Sequence, residues 1–184
     1  MATSDSAGPD GHPAEGGAAA EGAKAPQGRR APEEPQWLTA AEKKAWTGLV
    51  SLVLLLPGRL ESPLQEEAGV SLFDYLTLSH ISEAPQRRLR MSELAYLANG
   101  SLSRLSNVVK RFEQRGWAQR SPDPDDGRYT VVALTDSGYQ VVVAAAPVHL
   151  RSVRRLILDL LDPDEQQALT DIAAKLRARP TEAT

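Results

Sequence analysis

Residues 101–135 place a basic helical segment directly before two short strand-like segments. The run SLSRLSNVVKRF has apolar residues at helical spacing and carries serine, asparagine and basic side chains on its other face. After Gly116, the runs WAQRS at 117–121 and YTVVAL at 129–134 favour strands, and the Pro, Asp and Gly cluster between them indicates a hairpin loop. The sequence therefore predicts a mainly helical fold with one small β-hairpin.

A shorter helix is predicted just before this segment, from Ser92 to Asn99. Asn99 and Gly100 suit a tight turn, because a residue with positive φ is easiest there. Helix, turn and helix form a helix-turn-helix, whose second helix enters the major groove of DNA, and the hairpin that follows is then the wing. The side chains expected to face the core from these two helices are Leu94, Leu97, Ala98, Leu102, Leu105, Val109 and Phe112.

The outer face of the second helix supplies candidate DNA contacts. Arg104 can present a fork to guanine O6 and N7, and Asn107 can pair bidentately with adenine. The serines suit phosphate oxygens near the positive end of the helix dipole, although Ser101 serves equally well as a helix cap. For Arg104 the sequence offers no structural role. The candidate DNA-binding residues are Ser92, Ser101, Ser103, Arg104, Ser106, Asn107, Lys110, Arg111 and Arg128.

The predicted wing has two charged residues with different expected roles. Arg128 at the end of the loop is placed to enter an adjacent minor groove, where narrow A·T tracts concentrate negative potential. Asp126 would repel phosphate in the same place. We therefore expect Asp126 to stabilise the wing, through Arg128 or through backbone N–H groups.

The net charge of −3 is distributed unevenly along the chain. Residues 1–36 account for all of it, whereas residues 87–128 carry +4. A phosphate backbone responds to charge within a Debye length of about 8 Å, so this local excess matters more than the total. A solvated charged face is the alternative for an arbitrary protein. Here the basic segment coincides with the predicted helix-turn-helix and indicates double-stranded DNA as the partner.

The first 36 residues are rich in Ala, Gly, Pro and acidic residues, and they predict a disordered acidic tail. An inert extension is favoured over a tail that competes with DNA for the basic segment. The sequence does not show the basic start and following apolar run of a secretion signal. Its longest apolar stretch, 49–56, is far shorter than the roughly 20 residues of a membrane span. We expect a cytoplasmic protein with no membrane partner, and a flexible C-terminus at 179–184.

Helices are also predicted before the helix-turn-helix. Thr39 and Glu42 have the spacing of a capping box, and an apolar stripe runs from Trp46 to Leu56. Pro57 and Gly58 interrupt that stripe, which predicts a kinked helix or two abutting pieces up to Gly69. Ser71 and Asp74 open another helix, which ends before Pro85. The residues of this helix expected to face the core are Leu72, Tyr75, Leu76 and Leu78.

Two more helices are predicted after the wing. A long helical segment runs from Thr135 to Leu161, with more apolar residues than a DNA-binding lobe alone can cover. Asp162 then caps a last helix, with Pro163 at its first position and Glu165 completing a capping box. Leu169, Ile172, Ala173 and Leu176 give this helix one apolar face.

Several linked motifs resemble the MarR family of transcriptional regulators. The run DGRYTVVALT, residues 126–135, is similar to that family's D-x-R-x5-L-T signature. The runs LRMSELA and SLSRLSNVVKRFEQRGW, and TDSG at 135–138, also resemble the family. The similarity covers residues 38–178, so that 37–178 is expected to be a MarR-like body.

The resemblance implies a homodimer and a ligand-responsive repressor. Residues 37–69 and 135–178 would supply interlocking dimerisation helices around a winged-helix lobe at 70–134, and the dimer would bind a pseudo-palindromic operator. An intramolecular helical bundle is the alternative for the terminal helices. The resemblance also implies an effector pocket, for which Trp46, Tyr75 and His80 suit a small aromatic or phenolic molecule. Core packing is the alternative for all three.

Other functional classes receive less support from the residues. With three His and no Cys the chain is poor in metal ligands, and no metal or cofactor is expected. The sequence shows neither a nucleophile–base pair nor a glycine-rich phosphate loop, which are the features that would indicate an enzyme. A winged-helix module that binds protein without sequence-specific DNA binding is the remaining alternative. It would fit better if Arg104 and Arg128 were absent.

Overall fold

The computed structural model describes residues 35–178 of the 184-residue chain. The predicted tail at 1–36, apart from its last two residues, and the predicted C-terminus at 179–184 lie outside the described residues. The helices are α1 (Ala40–Pro63), α2 (Leu72–Glu83), α3 (Met91–Leu97), α4 (Leu102–Gln114), α5 (Asp136–Leu156) and α6 (Pro163–Arg177). The strands are β1 (Arg88–Arg90), β2 (Ala118–Pro122) and β3 (Thr130–Leu134).

Helix α1 begins at the predicted capping box. The backbone N–H of Thr39 donates to Glu42 Oε2 at 2.7 Å, and the N–H of Glu42 donates to Thr39 Oγ1 at 3.3 Å. These bonds, chiefly the one from the Thr39 backbone, hold the pKa of Glu42 below its usual value. The helix is continuous through Pro57, and its α-helical part ends at Pro63, where a π-helical turn, Leu64–Ala68, leads to Gly69.

Side-chain caps also fix where the four other capped helices, α2, α4, α5 and α6, begin. Ser71 Oγ accepts from the N–H of Asp74 at 3.0 Å at the start of α2. Asp162 accepts from the N–H of Glu165 at 2.9 Å, and the Glu165 carboxylate accepts in return from the N–H of Asp162 at 3.0 Å. These caps satisfy N–H groups that have no partner within the helix. The cap of α4, at Ser101, forms part of the candidate site.

The sheet has three antiparallel strands in the order β1-β3-β2. The β2–β3 hairpin is the predicted wing, and β3 lies in the centre, with Val132 paired to Leu89 on one side and to Arg120 on the other. Strand β1 was not predicted. With three residues it is too short to show the alternating pattern of a strand. It is a strand only because it pairs with β3.

The core lies between the sheet and helices α2–α5. Phe112, Leu94, Leu105 and Val132 are fully buried there. Three predicted core residues are instead exposed on the helix surface, namely Leu76 (38% exposed), Leu97 (39%) and Leu102 (55%). Each of the three lies at the edge or end of its helix's apolar stripe. Ala95 of α3 and Val108 of α4, which were not predicted to face the core, are buried instead.

Helices α1 and α6 have no fully buried residue. Both carry large exposed apolar side chains, and on α1 four of them are consecutive. On α1 these are Trp46, Leu49, Leu52, Val53, Leu54 and Leu55, and on α6 they are Leu169, Ile172 and Leu176. Within residues 35–178 no helix is both long and apolar enough to cross a membrane.

Candidate nucleic-acid interface

A tight turn joins α3 to α4 and sets the position of α4. Asn99 has φ 48° and the N–H of Gly100 donates to the carbonyl of Ala95 at 2.9 Å. A Cβ on Gly100 would lie 2.5 Å from Leu105 Cδ2. A side chain at position 100 would therefore require the fully buried Leu105 of α4 to move.

The first turns of α4 expose the predicted polar and basic side chains. Ser101 caps the helix by accepting from the N–H of Arg104 at 3.3 Å, and its Oγ lies 3.2 Å from that of Ser103. Ser103, Asn107 and Lys110 are exposed at a spacing that places them on one face of the helix. Ser92 is exposed at the second position of α3.

Arg104 has a structural partner that the sequence did not indicate. Its guanidinium carbon lies 4.0 Å from the centre of the Phe73 ring in α2, within the range of a cation–π contact. The expectation that Arg104 has no structural role is therefore wrong. Phe73 lies 31 positions earlier in the sequence, and helical periodicity alone does not bring the two together.

Two other predicted contact residues are engaged within the protein. Arg111 donates to the carboxylate of Asp74 at 2.7 Å, and that aspartate is nearly buried in α2. Ser106 is partly buried and accepts from Arg120 Nη1 at 3.3 Å. Both contacts attach α4 to a neighbouring element, so the structure gives these two side chains a supporting role that the sequence did not suggest.

Arg120 also fastens strand β2 to helix α4. Its Nη2 and Nε atoms donate to Glu113 Oε2 at 2.6 and 3.1 Å, and its backbone N–H donates to Oε1 at 3.1 Å. These hydrogen bonds, first of all those from the Arg120 side chain, lower the pKa of Glu113. The wing is therefore attached directly to helix α4.

The wing loop contains the predicted pair of Asp126 and Arg128. Arg128 Nη2 donates to Asp126 Oδ2 at 2.6 Å and its backbone N–H donates to Oδ1 at 3.1 Å. The side chain of Arg128 is nevertheless 84% exposed. Hydrogen bonds from the Arg128 side chain, and next from its backbone, lower the pKa of Asp126.

A second ion pair at the base of the wing was missed by sequence reasoning. Arg90 of β1 donates to Asp123 at 2.5 Å, and the Arg90 guanidinium lies 4.7 Å from the centre of the Tyr129 ring. Asp123 also accepts from the N–H of Asp125 at 2.9 Å. That backbone bond, followed by the bond from Arg90, lowers the pKa of Asp123. No local signal distinguishes this aspartate from its neighbours in the loop.

The three predicted effector-pocket residues lie in different surroundings. Trp46 is 58% exposed on α1, whereas Tyr75 is buried with its ring centre 4.8 Å from that of His149 in α5. His80 lines a groove with Tyr96 of α3 and residues of α6. Burial raises the pKa of Tyr75 and lowers the pKa of His149, whose buried Nδ1 has no hydrogen-bond partner within residues 35–178.

The positive charge of residues 87–128 is partly neutralised. Arg87, Arg90, Arg111, Arg120 and Arg128 each pair with a carboxylate. Within the part of the chain that the structure describes, Arg104 and Lys110 of α4 form no ion pair. Their charge therefore remains available on the exposed face of that helix.

Together, α3, the turn, α4 and the β2–β3 hairpin define a winged helix-turn-helix protein. The MarR family model matches residues 71–130. Sco3205, a MarR family transcriptional regulator from Streptomyces coelicolor solved in complex with DNA, is 40% identical with a TM-score of 0.76, covering 81% of this chain and 95% of Sco3205. AbsC, a MarR family regulator from the same organism, is 36% identical with a TM-score of 0.72, covering 79% of this chain and all of AbsC. The chain belongs to the MarR family of transcriptional regulators.

Curated relatives agree over a shorter segment. An uncharacterized HTH-type transcriptional regulator of Bacillus subtilis, YwaE, is 32% identical over 88 residues, which are 48% of this chain and 51% of YwaE. The chain thus spans about half the length of the curated relatives it matches. The predictions of the family, of the fold class and of a regulator rather than an enzyme are confirmed.

Proposed function

We propose that the protein binds double-stranded DNA as a homodimer and represses transcription from a pseudo-palindromic operator. The observation that carries this proposal is the exposed face of α4, where Arg104 and Lys110 form no ion pair within residues 35–178, together with the exposed Arg128 of the wing. The complex of the similar Sco3205 with DNA supports it.

Each exposed residue of the interface has a proposed contact. Arg104 and Asn107 would read base edges in the major groove, where a bidentate pair discriminates by about 1–3 kcal/mol. The side chains of Ser92, Ser103 and Lys110 would contact phosphates, while Arg128 would enter the minor groove. Asp126 would keep the wing loop closed behind Arg128. We leave Ser106 and Arg111 out of the contact set because Ser106 is partly buried against Arg120 and Arg111 is paired with the nearly buried Asp74.

The unpartnered apolar surfaces of α1 and α6 support a homodimer. Leu54 is 74% exposed on α1 and Ile172 is 54% exposed on α6, and each lies in a row of similar side chains. Exposed apolar patches of this kind mark interfaces between proteins. Two copies would bring two recognition helices about 34–36 Å apart, which matches half-sites one helical turn apart.

An effector that releases the DNA is part of the proposal. Tyr75 of α2 and His149 of α5 meet where the winged-helix lobe joins the dimerisation helices, and both are suited to an aromatic or phenolic molecule. A buried ring nitrogen of His149 without a partner in the described chain offers a hydrogen bond. Isothermal titration with phenolic acids, with and without DNA, tests this part separately.

A mobility-shift titration with the upstream region of the protein's own gene tests DNA binding. Contacts to roughly 6–10 phosphates per dimer predict a loss of affinity of about 10³–10⁵-fold between 50 and 200 mM salt. Arg128→Ala should weaken binding further, whereas Lys44→Ala, an exposed cation near the start of α1, should not. A salt-independent shift would contradict the proposal. No shift on any fragment would favour a protein-interaction module.

A further inference from the structure

Three consecutive residues of α2 each contact a different residue of the neighbouring helices. Phe73 lies under the guanidinium of Arg104, Asp74 pairs with Arg111, and Tyr75 packs against His149. The first two contacts are with the recognition helix α4, and the third is with α5. One turn of α2 therefore holds the recognition helix at two points, seven residues apart.

The backbone and the side chain of Arg104 are both fixed in this arrangement. Ser101 caps the helix at the N–H of Arg104, which sets the backbone, and the Phe73 ring supports the flat guanidinium at 4.0 Å. An arginine loses rotamer entropy when it forms a bidentate contact, and a planar group already held in place loses less. The Phe73 ring therefore holds the Arg104 guanidinium in place for a bidentate contact with a guanine.

The Asp74–Arg111 pair has a different effect on α4. Its 2.7 Å contact joins a nearly buried carboxylate to the third turn of the helix, so it fixes the helix axis. Phe73 packs against the core and lies near the turn at Gly100, and on α4 its ring contacts the exposed guanidinium of Arg104 in the first turn. The two neighbouring residues of α2 can therefore be separated by experiment.

We propose that Phe73 is a positioning residue for base recognition, holding Arg104 in the conformation that reads one base pair of each half-site. The inference rests on the proposed function, because it requires sequence-specific DNA binding. It adds a residue outside the helix-turn-helix that does not touch DNA and yet determines specificity. A residue that only packed the fold would affect all sites equally.

Selection from a random duplex library, followed by affinity measurements on the selected site and its single-base variants, tests this role. Phe73→Leu removes the ring but keeps an apolar side chain, and Phe73→Tyr keeps the ring. Arg104→Ala identifies the base pair that Arg104 reads. Tyr139→Leu is the matched control. The Tyr139 ring, in α5, makes the same kind of contact with an arginine outside α4, since the guanidinium carbon of Arg87 lies 3.7 Å from its centre.

Phe73→Leu should reduce discrimination at the Arg104-dependent base pair about fivefold to tenfold, with little change at other positions. It should have no further effect in an Arg104→Ala background, and Phe73→Tyr and Tyr139→Leu should behave as wild type. Equal weakening at all positions, unchanged discrimination at that base pair, or the same loss in Tyr139→Leu would overturn the inference. If the wild type selects no sequence, the proposed function fails and the inference fails with it. If the wild type selects a site but Phe73→Leu does not change discrimination there, only the inference about Phe73 fails.

Discussion

Arg90 Nε and Asp123 Oδ2 lie 2.5 Å apart, joining the strand before the helix-turn-helix to the loop of the wing. The Asp123 side chain is only 5% exposed, and Tyr129 lies beside the same arginine. The base of the wing is thus held from β1, and its tip is closed by Asp126 and Arg128. The position of the exposed Arg128 depends on both pairs.

The ion pairs of the wing predict a loss of stability in acid. Because the pKa of Asp123 is lower in the folded protein than in the unfolded chain, its carboxylate stabilises the fold above the unfolded pKa, near 3.9. This contribution is lost as the pH falls through the folded pKa, and Glu113 and Asp126 act in the same direction. Urea midpoints measured from pH 6 to pH 2.5 should decline, with a shallower decline for Asp123→Asn. Parallel pH curves for the two proteins would contradict this role.

Gly138 is expected to tolerate no side chain. A Cβ there would lie 2.1 Å from the carbonyl oxygen of Trp117, at the point where the first turn of α5 packs on the start of the wing. Gly138→Ala should therefore lower the free energy of unfolding by about 3 kcal/mol. Gly127→Ala, which meets nothing within 4 Å, is the control and should change it by less than about 0.5 kcal/mol. Equal values for both variants in urea denaturation would refute the close approach.

Glu113→Gln should loosen the wing from the recognition helix. The change removes the charged half of the Arg120 contact, whose partners are each about one-third exposed, so a loss of about 1 kcal/mol of stability is expected. Faster amide hydrogen exchange in β2, with exchange in α1 unchanged, would show that the effect is local. Unchanged exchange in β2 would indicate that the pair does not hold the strand.

A charge on the apolar face of α1 should disrupt the proposed dimer. Leu55 on α1 is 53% exposed and Leu102 at the start of α4 is 55% exposed, which makes them a matched pair. Sedimentation equilibrium should show that Leu55→Asp weakens self-association at least tenfold, because it buries a charge in the interface. Leu102→Asp should remain dimeric. A monomeric wild type, or dissociation of Leu102→Asp alone, would contradict this arrangement.

Local sequence signals predicted where the helices begin better than where they end, since the segment predicted as helical from Thr135 to Leu161 is α-helical only to Leu156. The capping pairs Thr39–Glu42 and Asp162–Glu165 begin helices where they were expected, because a cap depends only on residues three positions apart. Leu76 and Leu102 were misplaced, since periodicity identifies an apolar stripe but not how far its neighbours cover it. Pro57 was expected to kink α1 or to divide it into two pieces, and the structure has one continuous helix through it.

The contacts within the candidate site were harder to predict. Asp126 and Arg128 are two residues apart, and their pairing follows from that spacing. Arg90 and Asp123 are 33 residues apart, and Phe73 and Arg104 are 31 apart. Only the folded arrangement of β1 beside β3, and of α2 beside α4, brings these partners together. The sequence thus indicated the exposed basic side chains but not the residues that hold them.

Hydroxyl-radical footprinting on a duplex selected from a random library tests the central claim most directly. A dimer with two recognition helices and two wings should protect two half-sites whose centres are about 10–10.5 base pairs apart. Arg104→Ala should weaken both protected regions equally. A single unpaired footprint, or no protection at a concentration where a shift is seen, would contradict a dimeric winged-helix regulator.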